Sequence, residues 1–182
     1  MKNKSEAGFS YIDVMIAVVI LLTGILALVS AITGAVFQAK GQEQQLNAKQ
    51  IATSTMESIM SVKETDPLRL GWNSVGNIGS NPDAGGVNQG IFQIGLQSVK
   101  MDAGPDEIIG TVDDDGTTVD GFQRQIIIRD ECDADRPSYN CAVPGTFPVR
   151  IRSIEVTVVY FVGAVQRQEV FTTVLTDYAI TN

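Results

Sequence analysis

Histidine is absent from the 182 residues. That excludes imidazole general bases, Ser-His-Asp triads and His metal ligands together. Cysteine occurs only at Cys132 and Cys141, too few for a structural zinc site. Basic residues are scarce: 13 Lys and Arg against 21 Asp and Glu leave a formal charge of −8. Binding a nucleic-acid backbone needs clustered Lys and Arg, and no basic patch is evident here. Ser, Lys or carboxylate catalysis stays open by residue type, but no catalytic grouping stands out, so no enzyme is expected. The most informative absence is local. Residues 14 to 37 carry no charge of either sign.

What is present begins with the leader MKNKSEAG, polar and carrying Lys2 and Lys4. The uncharged run follows, 24 residues from Val14 to Phe37. As a helix it would extend about 36 Å, enough for a hydrocarbon core of about 30 Å. A secretory signal has a shorter apolar core, with its small-residue cleavage site after that core. Here the small residue, Gly8, stands before the run. The expectation is a span that stays on the protein, with the basic leader in the cytoplasm and the acidic remainder outside. Asp13 stands at the head of the run. A carboxylate near the membrane interior is costly and usually has a partner; in a first helical turn it is also favoured by the helix dipole.

Gly8 followed by Phe9, Ser10, Tyr11, Ile12, Asp13 and Val14 resembles the prepilin motif of type IV pilins and type II secretion pseudopilins. The resemblance covers residues 1 to about 60, and the rest matches in general plan only. It implies cleavage between Gly8 and Phe9 by a prepilin peptidase on the cytoplasmic face, and N-methylation of Phe9 as the new N-terminus. Asp13 matches the family's acidic residue, usually Glu, which is thought to pair with the N-terminal amine of a neighbouring subunit. Opposite charges in low dielectric attract and relieve each other's desolvation. Asp is one methylene shorter than Glu, so its reach is less. The phrase LLTGILAL, residues 21 to 28, is similar to the minor pilin branch called type IV pilus modification proteins. The implied partners are other pilin subunits through the N-terminal helix, the peptidase and an inner-membrane assembly platform. The implied role is a minor pilin in a fibre for adhesion, twitching or DNA uptake; the alternative is a minor pseudopilin of a type II secretion system.

The expected fold class is α+β: a long N-terminal transmembrane helix packed on a small antiparallel sheet. The division runs 1–8 leader, 9–37 span, 38–66 amphipathic continuation and 67–182 outer β-domain. In the continuation, Ala48, Ala52, Met56, Ile59 and Val62 fall near one face, and the region from Glu64 to Pro67 ends the helix. Residues 67–90 read as loop. Strands are expected at Ile91–Val99, Phe122–Arg129, Val149–Val162 and Val165–Thr176, the last two joined at Gly163-Ala164. Export makes a Cys132–Cys141 disulfide the natural pairing; the alternative is two unrelated buried thiols. Residues 102–121, DAGPDEIIGTVDDDGTTVDG, contain part of a calcium-loop pattern, with Asp106, Asp113, Asp115 and Asp120 as candidate ligands. No Glu stands at the closing position of an EF-hand, and a solvated acidic turn is the other reading.

Overall fold

The computed structural model describes residues 10–64, 71–136, 141–142 and 148–177. One helix, α1, runs from Tyr11 to Glu64, about 81 Å at 1.5 Å per residue. The chain divides into two compact units within it, between Glu43 and Gln44.

Within the first unit, α1 is apolar all round from Val14 to Phe37. The large hydrophobic side chains from Tyr11 to Phe37 are each 47% to 77% exposed. The helix satisfies its own polar groups, as a span in lipid must. Thr23 Oγ1 donates to the Ile20 carbonyl at 2.9 Å and Thr33 Oγ1 to the Val29 carbonyl at 2.9 Å. At the start, the Ser10 carbonyl accepts from the Asp13 and Val14 amides at 3.0 and 3.3 Å. Asp13 lies in the first turn, where its charge meets the positive end of the helix dipole.

In the second unit α1 turns amphipathic. Ala48, Ala52, Thr55, Met56, Ile59 and Val62 are buried, at the three- and four-residue steps that keep side chains on one helix face. They pack on a four-stranded antiparallel sheet in the order β1-β2-β3-β4. The strands are β1 Gln97–Asp102, β2 Asp115–Glu131, β3 Ile151–Val162 and β4 Val165–Thr176. In β3 every second residue from Ile154 to Val162 is buried, the two-residue period of a strand with one face on a core. Phe122 of β2 stands opposite Tyr160 of β3, their ring centroids 6.1 Å apart. Gly163, at φ 62°, opens the two-residue β3–β4 turn, a backbone that glycine adopts without a Cβ penalty.

Two strand starts depart from expectation by more than two residues. The strand expected at Ile91–Val99 forms only from Gln97, and Ile91–Leu96 is irregular. Gly95 takes φ 81°, and the buried Phe92 makes an isolated parallel bridge to Asn77. The strand expected from Phe122 already begins at Asp115, because Thr117, Thr118 and Val119 favour extended backbone and Lys100 and Asp102 of β1 pair with this stretch. Where β2 continues past β1, Asn77 completes its edge. Its side-chain amide donates to the Ile126 carbonyl and accepts from the Ile128 amide, both at 2.9 Å, reproducing a peptide unit of a neighbouring strand.

Candidate anchoring and assembly sites

The first candidate site is the N-terminal part of α1. Gly8 and Phe9, the expected cleavage and methylation positions, lie outside the described residues. Asp13 is placed exposed in the first helical turn, immediately before the uncharged run. This helix is long and apolar enough to cross a membrane, and none of its apolar window is buried within the chain. Removing one large aliphatic side chain from water is worth about 1.5–3 kcal/mol. A run this long therefore needs lipid, or other helices, around it.

The acidic segment is distributed differently from a calcium loop. Asp106 and Asp113 come together: the Asp106 amide donates to Asp113 Oδ2 at 3.2 Å. Asp113 Oδ1 also accepts from Thr111 Oγ1 at 2.6 Å, and Asp106 Oδ1 from the Ile108 amide at 2.8 Å. Asp115 and Asp120 are instead exposed on β2. Among the described residues no group of three or more His, Cys, Asp or Glu is placed to hold a metal ion. The expected calcium set of Asp106, Asp113, Asp115 and Asp120 is therefore not assembled: two members serve loop amides and a hydroxyl, and two were carried off by strand formation. The Thr111 hydroxyl holds the Asp113 carboxyl below the usual range, while burial raises that of Asp106, with Asp113 adding to the rise.

The aspartate between these positions has the larger structural role. Asp114 Oδ2 meets Arg124 of β2 at 2.7 Å, with the two side chains only 8% and 3% exposed. Asp114 also accepts from the Gly110 amide at 3.0 Å and the Thr111 amide at 3.3 Å. Arg124 reaches Thr55 Oγ1 of α1 at 3.3 Å. The Ile109 amide donates to Ser58 Oγ of α1 at 2.9 Å. Loop, sheet and helix are thus joined through one buried guanidinium. Burial lowers the Arg124 pKa and Asp114 opposes that fall; the pair's desolvation is offset by its mutual contact and by the Thr55, Gly110 and Thr111 hydrogen bonds.

A second buried arginine closes the other end of the sheet. Arg152 of β3 lies over the Trp72 ring at 4.4 Å from its centroid. Its Nε donates to Asp130 Oδ1 at 2.9 Å and its Nη1 to the Trp72 carbonyl. Trp72 Nε1 in turn donates to the Val149 carbonyl at 2.8 Å. Cys132 and Cys141 form a disulfide, with Cα atoms 5.5 Å apart, beside this arginine. Both line one surface recess of about 810 Å³ with Trp72, Asp130 and Asp177.

Asp114, Arg124, Trp72 and Arg152 were not among the expected site residues. A signal for the arginines does exist in the alternation. Arg124 falls in step with Phe122 and Ile126, and Arg152 in step with Ile154 and Val156, so each is a charge on a core-facing row. The partners that neutralise them come from distant segments and leave no local trace.

No protein-family model, curated protein or solved structure matches this chain.

Proposed function

We propose that this chain is a minor subunit of a type IV pilus, made as a prepilin. The observation that carries the proposal is the division of α1 between two environments. Residues 14–37 are uncharged and exposed over about 36 Å, more than a hydrocarbon core, while the second half of the helix supplies one wall of the outer domain's core. Together with Gly8, Phe9 and Asp13 in the order of the prepilin motif, this is the organisation of a subunit stored in a membrane and then moved into a fibre. The peptidase cuts after Gly8 and Phe9 becomes the methylated N-terminus. Asp13 receives the terminal amine of an adjacent subunit, and the outer domain lies across the inner membrane until assembly exposes it.

The disulfide after β2 supports placement of the outer domain in an oxidising compartment. In this reading the outer domain is not catalytic, and its role is structural or adhesive. A pseudopilin of a type II secretion system has the same anchor logic and is the second reading. The disulfide loop favours the pilus, since pilins often carry such a loop near the C-terminus and many pseudopilins do not.

The test is fibre content. Fibres sheared from cells and probed for this chain should contain it at low stoichiometry, and deletion of the prepilin peptidase should abolish its presence there. Its persistence in the membrane fraction alone, in cells making normal fibres, would reject the pilus assignment.

A further inference from the structure

We infer that β4 is an open sheet edge that pairs antiparallel with the β4 of a second copy, centred on Gln168. The inference goes beyond the pilus reading and stands on the sheet alone. Natural sheets protect their edges with short strands, bulges, prolines or lysines. The β1 edge is protected in this way: it has six residues and two register shifts. The β4 edge is not. Its ladder with β3 runs without a shift from Val162↔Val165 to Ile151↔Thr176, and VQRQEVFTTVLT contains neither proline nor lysine. Among the described residues, no backbone hydrogen bond outside the β3 ladder involves Val165–Thr176.

The charges on β4 name the occupant. They are only two, Arg167 and Glu169, standing opposite Tyr160 and Val158 and so on the core-side row. An antiparallel partner centred on Gln168 places Arg167 of each copy opposite Glu169 of the other. Opposite charges directly across a ladder are favourable. Odd positions meet odd positions, so the core-side rows of both copies stay on one side of a continuous sheet. Centring on Phe171 would instead set Arg167 against Leu175 and Glu169 against Thr173, leaving Arg167 with no acid opposite it and Glu169 with the Gln45 side-chain amide of α1 that already donates to it at 2.8 Å. The contact is isologous and closes on itself. It sets residues 44–64 of the two helices antiparallel.

Cysteine cross-linking of the full chain in detergent micelles tests the register. Gln168, Thr172 and Val174 are exposed on the outer row, and Gln168 meets itself across the two-fold. Under mild oxidation Gln168→Cys should give a covalent dimer, with Thr172→Cys and Val174→Cys at least about tenfold less, since directly opposed Cβ atoms lie about 4.5–5.5 Å apart. In the Gln168→Cys background, Arg167→Glu should cut the dimer yield several-fold, and Arg167→Glu with Glu169→Arg should restore it. Gln168→Cys remaining monomeric would overturn the pairing. Equal cross-linking at Thr172→Cys or Val174→Cys would overturn the register, and so would a double reversal, folded by its melting temperature, that fails to restore the yield.

Discussion

Replacing Asp114 with alanine is the sharpest perturbation of the outer domain. The substitution leaves Arg124, 3% exposed, with Thr55 as its remaining side-chain partner among the described residues. It also strips the Gly110 and Thr111 amides of their acceptor. Breaking a buried pair by removing one partner costs about 3–5 kcal/mol. For a unit of this size, 1 kcal/mol moves the melting temperature by roughly 3 °C. Asp114→Ala should therefore melt about 10 °C or more below the parent, followed by circular dichroism of the full chain in detergent. Asp114→Leu combined with Arg124→Met removes both charges and should recover a large part of that loss, because an apolar pair of similar volume carries no desolvation cost. The reasoning is refuted if Asp114→Ala loses less than about 1 kcal/mol, the range of an exposed ion pair. It is equally refuted if the double variant is no more stable than the single one.

The remaining predictions concern the anchor, the disulfide and the acidic loop. Asp13→Ala should leave leader cleavage intact and lower incorporation into sheared fibres at least several-fold on immunoblots; wild-type incorporation would reject the pairing role. Reducing Cys132–Cys141, nine residues apart, should lower stability by about 2.5–3 kcal/mol on the chain-entropy account, read as a lower melting temperature in dithiothreitol and no change in a double serine variant. The acidic loop should show opposite pH signatures at its two ends. The lowered Asp113 pKa contributes stability above the usual carboxylate range that is lost as pH falls through its folded value, whereas the raised Asp106 pKa opposes folding when ionised and is relieved as pH falls. Melting curves between pH 7 and pH 3 should show the deficit of Asp113→Asn shrinking with acid, and Asp106→Asn neutral or stabilising at pH 7; a pH-independent difference for both would contradict the assigned environments.

The parts of this fold that were legible in sequence were those decided locally. Ala48, Ala52, Met56, Ile59 and Val62 were expected on one helix face, and all five are buried. The β4 limits and the Gly163-Ala164 turn followed from alternation flanking a glycine, and β4 runs from Val165 to Thr176 as expected. The parts that were not legible depend on distant partners. Asp115–Gly121 reads as an acidic turn until β1 supplies a strand beside it. Asn77 looks like an ordinary loop residue, yet it completes the β2 edge some fifty positions away. Four aspartates within a short span suggested a shared cation. The chain instead put the unexpected Asp114 into the core against Arg124 and left Asp115 and Asp120 on a strand.

The apolar run was legible because 24 uncharged residues have few alternatives in water, and it forms part of one helix long and apolar enough to cross a membrane. Its processing is the central claim, and one measurement addresses it. The chain purified from membranes of cells with an active prepilin peptidase should have a mass matching residues 9–182 with one N-terminal methyl group on Phe9. Recovery of a chain that still begins at Met1 would contradict the account.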